Sequence, residues 1–237
     1  MVFSDTTNNT GIVQQTRYLA RVDSTQWSTA KITNSANNWL DFLTGYAIGS
    51  DKRFQWDDTN HTELPEGTTN AVSGQSDYSF LTDEQGNTIL TLLGVSYLNN
   101  TYYEPLDPVD RKNQSYNIAT FGQTSGTPSA YDKIADNIIR LDTKPSASVT
   151  NGLKFYFQRT PSYFTATDTT KSPGVAPILH RGFVIASAYD CALTLGLANL
   201  QALSVERSRE EERVKDYFAH RNNDDSRVMT HRKIRFI

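Results

Sequence analysis

Apolar positions along this chain change their period twice. Between Trp27 and Ala47 they fall at helical spacing, with Trp39, Leu43, Tyr46 and Ala47 at i, i+4, i+7 and i+8. Asp23 or Ser24 is placed to cap that helix, and Gly45 or Gly49 to end it. From Lys52 to about Lys171 short β-type runs take over. Phe54–Trp56, Tyr78–Leu81, Ile89–Leu98, Ile138–Leu141 and Gly152–Gln158 are the candidates, split by polar turns such as Asp83–Asn87. Short strands at such spacing predict a small antiparallel sheet or sandwich. Asn113–Ala130, with Gly122, Gly126 and Pro128, reads as a long exposed loop.

A third texture follows Ser172–Pro177, where Pro173 and Pro177 mark the entry to a helix. The pattern predicts one helix from about Pro177 to about His220. Its first half is apolar on nearly every face, from Phe183 through Leu203. A helix apolar all round must be buried all round, and neighbouring copies are the expected cover. Gly182, Ala186, Ala192, Gly196 and Ala198 permit close helix approach. The expected subunit-interface residues are Phe183, Tyr189, Leu193, Leu197, Leu200 and Leu203. After Val205 the helix is charged, with Glu206/Arg209 and Glu211/Lys215 at pairing distance. That end is either a solvated face or a surface that meets a partner.

The predicted fold class is α+β. An N-terminal helix and a long C-terminal helix pack together, a β-rich middle region is inserted between them, and an extended tail ends the chain. In residue ranges, 1–23 is a polar, loose arm ending in a short segment around Ile12 to Val22, and 24–51 with 172–221 is the helical core. Residues 52–171 are the β-rich insertion and 222–237 the tail. That tail carries Arg227, Val228, Met229, His231, Arg232, Lys233, Ile234, Arg235, Phe236 and Ile237, with no acidic residue among them. Apolar and basic residues so interleaved suit a peptide that pairs with a partner strand or lies in a groove.

Composition narrows the function. Over 237 residues hydrophobic side chains make up 37%, so the core is modest and much of the surface is polar. Twelve Tyr and eleven Phe supply most of the bulk, and aromatics are favoured at interfaces. A net charge of −3 argues against a general nucleic-acid surface. The single cysteine, Cys191, leaves no intrachain disulfide and reads as a small buried hydrophobe. Met1–Thr7 has no basic or apolar leader texture, so no secretory signal is expected, and the Asn-x-Thr sequons read as accidents of composition. Asp190, Asn199 and Gln201 interrupt the most apolar stretch, Phe183–Leu203, so no membrane span is expected.

Catalytic patterns are missing. His61, His180, His220 and His231 stand in no ligand spacing, and no nucleophile elbow, P-loop or dinucleotide fingerprint occurs. Asp57 and Asp58 beside His61 are explained by turn chemistry, and Asp107 and Asp110 lie in a proline-punctuated loop. The expectation is a non-enzymatic protein with no catalytic residues, metal or cofactor.

The order of these weak signals resembles the head–tail connector, or adaptor, proteins of tailed bacteriophages. Ile32–Trp39 resembles an asparagine-bearing first helix, and Phe54–Thr59 through Leu64–Pro65 the strand and hinge after it. Gln75–Phe80 resembles a strand opened by a polar turn and a tyrosine. Glu104–Asp110 resembles the loop after the central strands, Gly152–Pro161 the final hairpin strand, and Pro173–Pro177 the entry to the long helix. The resemblance covers roughly Thr25 to Ile237, and no single motif in it is diagnostic. It implies a structural virion protein at the head–tail junction, assembled in the host cytoplasm as a homo-oligomeric ring of about twelve copies. Such a ring sits between the portal protein and a downstream tail or nozzle protein. On this reading the C-terminal tail docks on the portal, and DNA passes through the channel without sequence-specific binding. The alternatives are another tail, baseplate or head-decoration component, or a carbohydrate-binding module using Tyr97, Tyr102 and Tyr103.

Overall fold

The computed structural model describes residues 1–50, 66–83, 86–109 and 120–219. The predicted strand at Phe54–Trp56 and the tail from Arg227 to Ile237 lie outside the described residues. The α+β class holds, with a β-rich middle between helical segments and a long helix, α4, near the C-terminal end of the described chain. Two large hydrophobic cores organise it, one helical and one between β-sheets, and they share no buried residue.

Four helices build the first core: α1 (Ile12–Ala20), α2 (Thr29–Ser50), α3 (His180–Leu195) and α4 (Leu200–Ala219). Residues 1–23 are not a loose arm. Phe3 is fully buried, its ring stacks on Phe164 at 4.7 Å, and its N–H donates to the Lys171 carbonyl at 2.7 Å. Asp5 then organises a turn, accepting from the Thr7 and Asn8 amides and the Thr10 hydroxyl. The Thr10 bond and the amides hold its carboxyl down at about 2. Helix α1 follows, burying Ile12, Val13, Thr16 and Ala20.

Helix α2 begins only at Thr29, beyond both expected caps, Asp23 and Ser24. Asp23 instead closes its own turn, accepting from the Thr25 and Gln26 amides, and Ser28 serves the new start by accepting from the Lys31 amide. Neither Gly45 nor Gly49 ends α2, which runs on to Ser50. Ile32, Ala36, Trp39, Leu43 and Ala47 form its buried stripe. That burial outweighs the roughly 1 kcal/mol by which each glycine disfavours a helix. Tyr46 stays at the surface, edge-on to Phe42.

The single helix expected from Pro177 to His220 is three elements: a 3-10 turn at Pro177–Leu179, then α3, then α4. Gly196 stops α3 by taking the left-handed conformation, at φ 64° and ψ 38°. Helix α3 is apolar all round, and this chain covers most of it. Gly182 through Ala188 are all buried, with α1, α2 and α4 packed against α3. The space is tight at Gly182, where a Cβ would stand 2.7 Å from the Trp39 ring.

The middle region is a sandwich. One sheet has the order β1-β10-β3-β4 (Glu66–Ala71, Val149–Arg159, Ile89–Asn99 and Tyr102–Pro105). The other has the order β2-β8-β7-β5 (Asp77–Ser79, Ile138–Leu141, Ala130–Ala135 and Asp107–Pro108). A small parallel pair, β6 (Ser125–Gly126) with β9 (Lys144–Pro145), lies beside them. Leu153, Phe155 and Phe157 alternate inward from β10 and meet Ile139 and Leu141 of the facing sheet. The described part of the expected Asn113–Ala130 loop is not bare, because Phe121 and Ala130 are buried with Val109.

After β10 the chain crosses to the helices as a strap. Asn37 clasps it, donating Nδ2 to the Phe164 carbonyl at 3.0 Å and accepting the Phe164 N–H at 2.9 Å.

Candidate functional site

The α3–α4 corner is where the helical module leaves apolar surface uncovered. Gly196 lets the Leu197 N–H fold back to the Ala192 carbonyl, and the chain reverses into α4 within a few residues. The reversal places Leu193 on the outer side, 56% exposed, with Leu195 at 39% and Val205 at 50%.

The six expected interface residues divide. Phe183 and Leu203 are buried inside the chain. Tyr189, Leu197 and Leu200 are half-buried against the same core. Leu193 alone among the six points to solvent. The reason is the helix break, which lets α4 fold back over α3 and cover the side that a single straight helix would have left open.

Charge surrounds the corner. Arg207 lies between Asp190 at 3.2 Å and Glu211 at 3.1 Å, with its guanidinium stacked 4.8 Å from the Tyr189 ring. Two carboxylates thus share one arginine beside Leu193. Further along α4, Glu210 is buried, and Arg213 holds both of its oxygens at 3.0–3.1 Å.

Across the module, α1 and the start of α4 enclose a groove of about 920 Å³. Leu19, Val22, Ile185 and Leu203 supply its apolar lining. Arg17, Arg21 and Arg181 also line it, against the carboxylates Asp23 and Glu206. Arg17 donates to the Trp27 carbonyl and the Thr29 hydroxyl, and burial pushes its guanidinium below the ordinary value, partly offset by Asp23. Tyr18 stands 79% exposed among these lining residues. At one end Asn199 donates to the Leu19 carbonyl, while its buried Oδ1 has no hydrogen-bond partner. Sequence reading missed this groove because the short segment expected around Ile12 to Val22 was placed at the end of a loose arm and not against the other helices. The available signal was the spacing of Ile12, Thr16 and Ala20, one helical turn apart.

The expected docking residues Arg227, Val228, Met229, His231, Arg232, Lys233, Ile234, Arg235, Phe236 and Ile237 all lie outside the described residues. Cys191 is a buried free thiol, and burial pushes its pKa up. His180 is buried with Nε2 2.9 Å from the Val175 carbonyl. Among the described residues no group of His, Cys, Asp or Glu side chains is arranged to hold a metal ion. No helix among them is long and apolar enough to cross a membrane. The three tyrosines of a carbohydrate platform do not share a face: by register Tyr97 and Tyr102 lie on one side of the sheet, Tyr97 buried in the sandwich core, and Tyr103 pairs with Leu98 on the other. No protein-family model matches the chain, and no curated protein matches it.

Proposed function

We propose that this protein is a structural, non-enzymatic virion component. It forms an oligomeric adaptor ring between the portal and the tail of a tailed bacteriophage, with a central channel for DNA. The supporting observation is the α3–α4 corner. Within a helical module that covers most of α3 from inside the chain, Leu193 and Leu195 near the end of α3 and Val205 on α4 stay exposed. Exposed leucine and valine side chains around a helix corner give a neighbouring copy apolar surface to bury. A ring needs one such contact, repeated until it closes. The tail Arg227–Ile237, apolar and basic by sequence, is the segment assigned to the portal.

The test is co-sedimentation with a candidate portal. The full chain is expected to join the portal, and a chain ending before Arg227 is expected to fold with an unchanged melting temperature and stay behind. A truncated chain that joins as well as the full one removes the tail from the account. A full chain that ignores the portal moves the assignment to another virion part.

A further inference from the structure

Most polar groups around the α1–α4 groove are satisfied from within the chain. Among the last carbonyls of α1, Arg17 accepts from the Val22 amide, Tyr18 from the Arg21 amide and Leu19 from the Asn199 side chain. The carboxylates of the lining are occupied too. Asp23 takes the Thr25 and Gln26 amides, and Glu206 holds Arg181 at 3.0 Å and pairs with Arg209. Arg17 lies within electrostatic reach of Asp23. That leaves Arg21, which enters no ion pair among the described residues, and the lining carries one positive charge in excess. Arg21 also sits where an arginine is costly. It caps α1 in the left-handed conformation, at φ 58° and ψ 46°, a region that glycine and asparagine favour. Strained backbone of this kind concentrates at functional positions. Here it holds an unpaired guanidinium at a hollow of about 920 Å³ with Leu19, Val22, Ile185 and Leu203 as its apolar lining. Tyr18, three residues before Arg21 on the same helix end, is 79% exposed and lines the hollow as well.

We infer that this groove seats a segment of a partner protein in which acidic residues adjoin apolar ones. A carboxylate of the segment meets Arg21, and its apolar side chains enter between α1 and α4. Charge selects this occupant. The chain's own tail, Arg227–Ile237, has basic residues and no acidic one, and would add like charge to the lining. A purely apolar segment would cover Arg21 without a counter-charge, which is costly. A carboxylate instead meets a guanidinium through two parallel N–H···O bonds. The hollow lies within the roughly 300–1,000 Å³ of pockets that seat a ligand, and Tyr18 and Arg21 are of the residue types that dominate interface energetics. The inference stands apart from the ring reading, since a single copy, a ring or another virion part could make this contact.

The probe is a short labelled peptide alternating leucine with glutamate, titrated with the full chain and followed by fluorescence anisotropy, with salt varied. Control peptides replace glutamate by lysine or leucine by serine, and N-acetylglutamate stands for a small carboxylate. Wild type is expected to bind the leucine–glutamate peptide roughly tenfold or more tightly than either control peptide, and more weakly as salt rises. Arg21→Gly relieves the left-handed strain, so its melting temperature is expected to hold or rise while affinity falls roughly tenfold or more. Arg21→Lys keeps the charge without the fork and is expected to lose less. Equal binding by wild type and Arg21→Gly overturns the inference. A leucine–glutamate peptide that leaves wild type unbound at roughly 100 μM, where a micromolar contact is saturated, overturns it as well. N-acetylglutamate that binds as tightly as the peptide replaces the peptide assignment with a small acid. A wild-type chain that self-associates and turns monomeric in Arg21→Gly hands the groove to a second copy and overturns the partner assignment. The ring reading is tested separately, by co-sedimentation with the portal, and survives each of these results.

Discussion

The first two turns of α3 and the corner after it are equally apolar in sequence and opposite in environment. Phe183, Val184, Ile185, Ala186 and Ala188 are buried, enclosed by helices of this same chain. Leu193 and Leu195, ten residues on from Phe183 and beyond, face solvent. A run of leucines and alanines therefore carries two meanings. Where α1 and α2 reach it, the run is core. Where α3 nears its stop at Gly196, Leu193 and Leu195 are surface, exposed on different faces of the helix end.

The largest expected effect is at the core side. Phe183→Ala leaves a cavity among Phe164, Trp39 and α1, and is expected to lower stability by about 3–5 kcal/mol in denaturant unfolding. Gly182→Val is next, because even a Cβ would meet the Trp39 ring at 2.7 Å, and overpacking costs about 1–3 kcal/mol. A wild-type midpoint for this variant would mean that α2 and α3 are less closely packed. Asn37→Ala strips both hydrogen bonds from the Phe164 backbone and is expected to cost about 1–3 kcal/mol, read as a lowered melting temperature. At the corner, Leu193→Asp is expected to change monomer stability by only about 0.5 kcal/mol, as at other surface sites.

The smallest effect is a pH dependence at the strap. The Tyr163 hydroxyl donates to Asp41 Oδ1 at 2.6 Å, and burial, then that bond, pushes the phenol up to about 12 from 10.0. The residue is 41% exposed overall, so the hydroxyl end facing Asp41 carries the shift while solvent screens part of it. A phenol raised in the folded state contributes stability that is whole below pH 10 and is lost as pH climbs toward about 12. The small excess in melting temperature of wild type over Tyr163→Phe is therefore expected to shrink across that range. An excess that grows with pH would contradict the assigned direction.

Period was the part of the fold easiest to read. The inward alternation of Leu153, Phe155 and Phe157 and the stripe of Trp39, Leu43 and Ala47 point to the right elements. Strand β8 occupies the residues expected for it, Ile138–Leu141. Strand β1, Glu66–Ala71, was illegible because Glu-Gly-Thr-Thr-Asn carries no apolar alternation and its pairing with β10 is what makes it a strand. A short segment around Ile12 to Val22 was legible, but its helical type was not, because Gln14, Gln15 and Thr16 dilute the apolar face of α1. Gly196 stood in plain view, but an isolated glycine inside a helical pattern is read as tolerated until its φ is known. Of the six interface residues named from sequence, Leu193 kept its place at the surface. Phe183 and Leu203 lie in this chain's own core and Tyr189, Leu197 and Leu200 are half-buried against it, because helical periodicity says which residues are apolar and not which element covers them.

The measurement that most directly tests this division of α3 is a paired one on the full chain: solution mass and melting temperature of wild type and of Leu193→Asp. The account predicts an assembled wild type and a variant that is monomeric with an unchanged melting temperature. A Leu193→Asp protein that melts far lower while keeping its mass would contradict it, because Leu193 would then belong to the core of its own chain.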